Sequence, residues 1–301
     1  MAGINFRAPK HGGQAYKLLL GFPIAERIGD EPQRMHWLAI DKIPLAERLE
    51  KRNGFRPTEE NHRRWDRQIA QSTATLVWQR TANWASDQIR IRGEAADEVR
   101  GKGILIIGNG TLGAAVAENL LRMGVTRMGL MDGERLELGN LSRHVLTMTD
   151  AGHNKAIALA RRLNQSMPDA KVKAISSEFP PIESAKADLV RTFDVIIDCT
   201  ASDTVLGAMA SFRWGSEKIF VVLSMSWRAE GLLAYAASEA AFPPIDAREK
   251  FNRAPVPTVD FEEARIEGAG CWHPVFPATA DDVQLWAAMG SKFVRRTIAA
   301  P

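Results

Sequence analysis

The stretch Gly103-Ile-Leu-Ile-Ile-Gly-Asn-Gly-Thr-Leu-Gly113 decides the fold of this chain. An apolar run of strand length leads directly into the glycines of a Gly-x-Gly-x-x-Gly pattern, Gly108, Gly110 and Gly113, and a helical pattern follows. Such glycines allow a tight turn and close backbone approach, while the helix N-terminus offers N–H groups and a positive dipole end to a phosphate. The stretch therefore predicts a nucleotide-binding site, with a tight turn that binds no ligand as the alternative.

From Lys102 onward, short apolar runs alternate with helical patterns. Strands are predicted at 103–107, 127–131, 171–175, 193–198 and 219–225, and helices at 112–123, 153–166 and 203–214. This rhythm predicts an α/β fold, a doubly wound, mostly parallel, Rossmann-like sheet with ligands beyond the carboxyl ends of its strands. A further strand is expected at 231–237, then a long irregular crossover loop at 241–277 and a closing helix at 280–296.

A small strand- and Trp-rich N-terminal region precedes this pattern and holds four of the eight tryptophans. Residues 16–24 and 35–40 read as two strands that could form a hairpin across the turn Gly29-Asp30-Glu31-Pro32. Thr58, followed by Glu59 and Glu60, suggests a capped helix that reaches toward Gln71.

Composition excludes several classes of protein. The 301 residues are 45% hydrophobic and 25% charged, and no apolar run reaches the roughly 18 residues of a transmembrane helix. The N-terminus has no secretory signal pattern, so we expect a cytoplasmic protein without membrane partners. The two cysteines, Cys199 and Cys271, form no Cys-x-x-Cys metal pair. The first third is mildly basic but lacks a dense Lys/Arg stripe, so nucleic-acid binding is not expected.

Polar residues that suit a nucleoside triphosphate follow the second strand. Asp132 ends that strand, where an acidic side chain can accept hydrogen bonds from ribose hydroxyls. Further along, Asn140, Arg143 and Lys155 bring an amide, a guanidinium and an ammonium group. Arg143 can hold phosphate through two hydrogen bonds and Lys155 can act as a point charge, although each alone could be a solvated surface residue.

Two carboxylates stand at the end of the fourth strand, in Asp198-Cys-Thr-Ala-Ser-Asp203. Carboxylate oxygens suit Mg²⁺, which usually takes one or two of them together with substrate phosphates. Asp203 could instead be the N-cap of the next helix.

These residues together resemble the ubiquitin-activating-enzyme superfamily of ThiF/MoeB/HesA type, over about residues 60–300. The resemblance implies a strand-rich linker region at 1–57 and an adenylation domain at 58–301. It implies adenylation of the C-terminal carboxylate of a ubiquitin-like protein by ATP and Mg²⁺, in a homodimer or pseudo-dimer. Asp132 would bind ribose, Asn140, Arg143 and Lys155 would contact the phosphates, and an Asp at the fourth strand end would hold magnesium.

The sequence departs from the family pattern at three positions. Glu134 stands where the family often has a second Asp. Ala201 and Ser202 intervene before the acidic residue that usually follows Thr, so Asp198 and Asp203 both remain candidate magnesium ligands. Arg64-Trp-Asp-Arg67-Gln resembles a family segment whose arginine reaches ATP from the neighbouring subunit, and this resemblance makes Arg67 a candidate ATP contact. The segment lies farther from Gly108 than is usual in the family.

Cys271 is the candidate nucleophile, because thioester-forming members of the family carry a cysteine on the crossover that attacks the adenylate. The glycines before it allow exposure, and His273 could favour the thiolate. The alternative is a buried, unreactive cysteine, which is also the expectation for Cys199.

Short segments, including Gly21-Phe-Pro-Ile24, resemble bacterial fusions of a ubiquitin-conjugating-like domain with this activating domain, found in antiphage operons. No cysteine precedes Cys199, so a conjugating nucleophile would have to lie in a separate protein or outside a fragment. The alternatives are adenylation for sulfur transfer in cofactor biosynthesis, a non-catalytic nucleotide-binding dimer subunit and, least favoured, a dehydrogenase.

Overall fold

The computed structural model describes residues 17–41, 58–60, 63, 77–254 and 278–300. The chain divides into two compact units, Met1–Ala85 and Ser86–Pro301. This division lies later along the chain than the boundary expected between residues 57 and 58. Within the described ranges, no helix is long and apolar enough to cross a membrane.

The first unit contains an antiparallel sheet of β1 (Lys17–Ile24), β2 (Arg34–Asp41) and β3 (Val77–Gln79), in that order. The predicted hairpin is confirmed as β1 and β2, in a register that pairs Gly21 with Trp37. A Cβ on Gly21 would stand 2.9 Å from the Trp37 ring, so the indole packs closely against the glycine. Sequence analysis missed β3, which has only three residues. Of the helix expected from Thr58, the structure describes helical residues only at 59, 60 and 63.

The second unit is built on a six-stranded sheet of order β6-β5-β4-β7-β8-β9. Its strands are β4 (Ile104–Ile107), β5 (Arg127–Met131), β6 (Lys171–Ile175), β7 (Val195–Asp198), β8 (Lys218–Met225) and β9 (Leu232–Glu239). All neighbours are parallel except β9, which pairs antiparallel with β8. The predicted doubly wound sheet is confirmed. Its strand order reverses between β4 and β7, which is where such sheets bind ligands.

Eight α-helices lie in the described part of this unit. They are α1 (Ser86–Arg90), α2 (Asp97–Arg100), α3 (Thr111–Arg122), α4 (Lys155–Ser166), α5 (Ser184–Arg191), α6 (Asp203–Ser211), α7 (Pro244–Arg253) and α8 (Ala280–Ala299). The helices predicted at 112–123, 153–166, 203–214 and 280–296 correspond to α3, α4, α6 and α8. The end predicted for α6 is wrong, because Trp214 instead enters the core and is 1% exposed.

The sheet separates two apolar cores, because successive strand residues point to opposite faces. Ile104 and Ile106 join the core that also contains buried residues of α3, α4 and α8. Leu105 and Ile107 join the other core, with buried residues of α5, α6 and α7. Trp214 is central to this second core, and its ring centroid lies 4.7 to 5.7 Å from those of three phenylalanines, Phe179, Phe212 and Phe220.

Two helices differ from the sequence-based expectation. The expected irregular crossover at 241–277 is wrong for its first part, because α7 begins at Pro244, a residue that fits the first turn of a helix. Helix α5, between β6 and β7, was not predicted, since only Ala187 and Val190 of its eight residues are buried and its apolar pattern is weak. The rest of the crossover, from residue 255 to 277, lies outside the described residues.

An ion pair between a buried arginine and a partly exposed aspartate connects α1 to the turn before β6. The Arg90 guanidinium, with a side chain 2% exposed, donates from Nη1 to Asp169 Oδ2 at 2.5 Å and from Nη2 to Oδ1 at 2.7 Å. This hydrogen-bonded pairing lowers the pKa of Asp169.

We expect Asp169→Ala to lower the free energy of unfolding by about 3 kcal/mol, because it leaves a buried guanidinium without its counter-charge. Urea denaturation measures this loss. The matched control is Asp188→Ala, whose pair with Arg191 is exposed (75% and 36%) and which should cost below about 0.5 kcal/mol. Equal losses in the two variants would contradict the assignment of the Arg90 pair as a structural anchor.

Candidate nucleotide site

A cavity of about 490 Å³ lies at the carboxyl ends of β4, β5 and β7. This is the edge of the sheet at which the sequence predicted ligands, and the cavity lies at the topological switch point between β4 and β7. The segments that follow β4, β5, β6 and β7 all contribute to its wall. The lining residues include Gly108, Gly110, Asp132, Glu134, Lys155, Ser177, Glu178, Cys199 and Thr200.

The three glycines of the loop after β4 have different structural roles. Gly108 has a φ of +83°, which favours glycine, and a Cβ there would stand 2.8 Å from the Thr200 methyl group. A Cβ on Gly113 would stand 2.0 Å from the Gly108 carbonyl oxygen, so this glycine lets α3 pack under the loop. Gly110 is the N-cap of α3, and a Cβ on it would have no heavy atom within 4 Å. No side chain caps this helix and its first turn has no acidic residue, which leaves the positive dipole end available to an anion.

Asp132 is held at the cavity by two backbone donors. The Asn109 N–H donates to Oδ2 at 2.7 Å and the Glu134 N–H donates to Oδ1 at 2.8 Å. Burial raises the pKa of Asp132, and these hydrogen bonds and the nearby Lys155 oppose the rise. Each carboxylate oxygen keeps further acceptor capacity, which is what hydrogen bonds from ribose hydroxyls require.

Lys155 brings a buried ammonium group to the cavity wall. It is the first residue of α4, which Asn154 caps by accepting the Ile157 N–H at 3.1 Å. The Lys155 side chain is 4% exposed, and its Nζ lies 2.5 Å from Oε2 of Glu134, which is 60% exposed. The Glu134 side chain in this ion pair is exposed, so it can turn aside when another anion enters.

Asn140 and Arg143 are not among the residues that line the cavity. Asn140 is 5% exposed and accepts the Glu137 N–H at 3.0 Å, closing a capping box on the short 3-10 helix Leu138–Ser142. The Arg143 guanidinium donates to the Ala278 carbonyl oxygen at 3.4 Å, just before α8. The structure thus uses Asn140 to shape the loop and connects Arg143 to the end of the crossover.

Asp198 and Asp203 have opposite environments. Asp198 ends β7 with no exposed surface, and its Oδ1 accepts the Thr200 N–H at 3.1 Å and the Thr200 hydroxyl at 2.7 Å. Its Oδ2 is buried and has no hydrogen-bond partner among the described residues. Burial raises the pKa of the Asp198 carboxyl group to about 6. The side chain of Asp203 is 84% exposed and lies 3.9 Å from Arg248. Asp203 is also not the N-cap of α6, which is Ser202.

Of the two cysteines, the structure describes Cys199 but not Cys271. Burial raises the pKa of the Cys199 thiol well above its usual range, as expected for an unreactive cysteine. Cys271 and Arg67 lie outside the described residues. Sequence analysis did not single out Ser177 or Glu178 for the cavity, although their place directly after a parallel strand was a usable signal.

The described residues offer magnesium one candidate ligand rather than a complete site. Among the described residues, no group of three or more His, Cys, Asp or Glu side chains could hold a metal ion. The buried, unpartnered Oδ2 of Asp198 nevertheless fits one ligand position of a hard cation whose other ligands are phosphate oxygens and water. The carboxylate of Asp203 is exposed and gives no comparable indication of a bound cation.

Comparison with known proteins gives two adjoining matches. A family model described as "ThiF family" matches residues 85–208, and one described as "Cap2 central linker domain" matches residues 2–84. The two ranges meet close to the division between the two compact units.

Among curated proteins, the chain is 56% identical over 284 residues to the ATP-dependent ubiquitin transferase-like protein Cap2 of Enterobacter hormaechei, covering 94% of this chain and 47% of that protein. It is 30% identical over 146 residues to ubiquitin-like modifier-activating enzyme 5 of Culex quinquefasciatus, covering 47% of this chain and 36% of that protein. The chain thus spans about half the length of the Cap2 relative. The fold also resembles E. coli MccB crystallised with AMPCPP and MccA, at a TM-score of 0.51 and 14% identity, over 86% of this chain and 75% of that one.

Proposed function

We propose that the chain uses ATP to adenylate the C-terminal carboxylate of a ubiquitin-like or similar protein, because the ThiF family model matches residues 85–208. The observation that carries the proposal is the cavity itself. It joins a glycine loop on an uncapped helix N-terminus, a carboxylate with free acceptor capacity and a buried ammonium group, Lys155. The high identity to a relative named ATP-dependent ubiquitin transferase-like supports the same reaction class.

The placement of the nucleotide follows from the charges around the cavity. Asp132 would accept hydrogen bonds from the ribose hydroxyls, since both of its oxygens are already oriented by backbone donors. The phosphates would lie at the N-terminus of α3, where Gly110 leaves open space. Lys155 would then exchange its contact with Glu134 for phosphate oxygens, and Glu134 would keep the ammonium group oriented until the nucleotide arrives.

The reaction would need alignment and charge stabilisation rather than a proton-transfer base. A carboxylate oxygen of the protein substrate attacks the α-phosphorus of ATP, and the bond from that phosphorus to the bridging oxygen breaks. The products are an acyl adenylate and pyrophosphate, and the electron pair of the broken bond stays on pyrophosphate. Lys155 and Arg143 would stabilise the charge that develops on the phosphate oxygens. For this, Arg143 would have to leave the Ala278 carbonyl oxygen.

Magnesium would assist by neutralising phosphate charge, and Asp198 is the residue that would hold it. Its buried Oδ2 has no partner in the described part of the chain, and a neighbouring cation would offset the cost of burying the carboxylate. Asn140 would act indirectly, by shaping the loop that carries Arg143.

Several finer features belong to the same proposal. Cys271 would attack the adenylate to form a thioester, and Arg67 would reach ATP across a homodimer. The activated protein would pass to a ubiquitin-conjugating-like domain or protein, in a bacterial antiphage system. These features rest on the family resemblance and the Cap2 relative, of which this chain spans about half the length.

ATP–pyrophosphate exchange tests the proposal. The assay uses MgATP with candidate proteins that end in glycine, on the wild type, Arg143→Ala and Cys271→Ala. We expect exchange to require the protein substrate, to fall about 10²-fold in Arg143→Ala and to persist in Cys271→Ala, because the thiol acts after adenylation. Arg253→Ala is the matched control, since Arg253 is 78% exposed in a surface pair with Glu249.

Each other outcome of the exchange assay would lead to a different conclusion about the function. Absence of ATP binding by the wild type would overturn the proposed function. Binding of ATP without exchange, across a complete set of candidate substrates, would favour a non-catalytic dimer subunit. Exchange with a sulfur-carrier protein only would favour sulfur transfer. Loss of exchange in Cys271→Ala would show that the cysteine is needed before or during adenylation.

A further inference from the structure

His144 is a buried imidazole that joins two backbone segments near the cavity. It is 8% exposed, its Nδ1 accepts the Leu146 N–H at 3.1 Å, and its Nε2 lies 2.9 Å from the Asn109 carbonyl oxygen. Because a carbonyl oxygen and a backbone N–H occupy the two positions, the proton must be on Nε2, which donates to Asn109. Burial lowers the pKa of His144, and the hydrogen bond to Asn109 opposes this shift, so the imidazole favours its neutral form.

The bond from His144 completes a clamp on the glycine loop. The Asn109 N–H donates to Asp132 at 2.7 Å, and the Asn109 carbonyl accepts from His144, so this residue is fixed on both sides. In a planar trans peptide, the next N–H points opposite to that carbonyl. The direction of the Gly110 N–H is therefore set by His144. Gly110 lines the cavity, and a Cβ on it would have no heavy atom within 4 Å, so this part of the loop is open to a phosphate.

We propose that His144 is a positioning residue that aims the Asn109–Gly110 peptide of the loop at the phosphates of the nucleotide. It does so without touching the nucleotide. Since His144 also follows Arg143 directly, the same side chain fixes the base of the segment that carries the guanidinium. This inference rests on the proposed function and extends it to a residue outside the cavity wall.

Two substitutions test the two hydrogen bonds of the imidazole one at a time. The amide nitrogen of His144→Gln reaches about as far as Nε2 and can still donate to the Asn109 carbonyl. The amide of His144→Asn reaches only the position of Nδ1, so it can accept the Leu146 N–H but cannot reach Asn109. The variants differ by one methylene group, which makes them a matched pair.

Titration calorimetry of the full chain with ATP and with adenosine gives the readout. We expect His144→Asn to weaken ATP binding about tenfold, the worth of one well-placed hydrogen bond, and His144→Gln to stay within about threefold of the wild type. Adenosine lacks phosphates, so it should bind all three chains equally. Equal adenosine affinity also shows that the site of each variant is folded.

Other results overturn the inference in distinguishable ways. Equal ATP affinity in His144→Asn and the wild type would mean that the clamp has no effect on the phosphates. Parallel losses of ATP and adenosine binding would assign His144 a purely structural role. Failure of the wild type to bind ATP would instead overturn the proposed function, and this inference with it.

Discussion

We expect Gly113→Ala to abolish measurable ATP binding and to lower the free energy of unfolding by about 3 kcal/mol. The added Cβ would stand 2.0 Å from the Gly108 carbonyl oxygen and 3.2 Å from the Cβ of Cys199. The first contact is with backbone, which cannot rotate away as a flexible side chain could. Either the loop or the start of α3 must move, and both shape the phosphate end of the cavity. Urea denaturation and calorimetry with ATP measure the two effects.

Gly110→Ala is the matched control within the same loop. Gly110 has a φ of −68°, which any residue adopts, and no heavy atom within 4 Å of an added Cβ. Its free energy of unfolding should therefore change by less than about 0.5 kcal/mol. Its ATP affinity should nevertheless fall, because the new methyl group occupies the space through which phosphate approaches the backbone. A Gly110→Ala chain with wild-type affinity would place the phosphates elsewhere, and a stable Gly113→Ala chain would contradict the packing argument.

The sheet and the loop were predictable because their signals are local. An apolar run such as Ile104–Ile107 marks a buried strand wherever it lies, and the glycine pattern after it limits the backbone to a few conformations. The same holds for Asp132, whose place at a strand end brings it to the ligand edge of any parallel sheet. The helices that were missed had weak local signals, as the two buried residues of α5 illustrate.

The site could be predicted only as a set of residues, because their roles depend on contacts between distant segments. Arg143 contacts Ala278, which lies 135 residues away. Asn140 caps its own loop, and His144 contacts the glycine loop 35 residues earlier. No periodicity encodes such contacts, and they decide which polar residue is buried, which is paired and which faces the cavity. The sequence alone therefore left Asp198 and Asp203 unranked, whereas their burial separates them.

We expect Asp198→Asn to lower MgATP-dependent exchange by about 10²- to 10³-fold without destabilising the chain at pH 8. The amide oxygen can still accept the two Thr200 hydrogen bonds that Oδ1 accepts now. The substitution removes the negative charge and places an amide NH2 group at the position of Oδ2, where it cannot bind a cation. Asp203→Asn is the control: its side chain is 84% exposed and 3.9 Å from Arg248, so exchange should stay within about threefold of the wild type. Wild-type exchange by Asp198→Asn, or an equal loss in both variants, would contradict the choice of Asp198.

The pH dependence of stability gives an independent check on the same carboxylate. Burial raises the pKa of Asp198 to about 6, above the ordinary value of 3.8, so the folded state favours the protonated form. Stability contributed by this group is therefore lost as the pH rises from the unfolded pKa through the folded one. Between pH 5 and pH 8 the loss amounts to about 1.5 kcal/mol, and Asp198→Asn should not show it. Urea denaturation of both chains in EDTA, at the two pH values, measures the difference. A single pH dependence shared by the two chains would mean that Asp198 is charged at no cost in the folded state, and the argument that its buried oxygen needs a cation would fall with it.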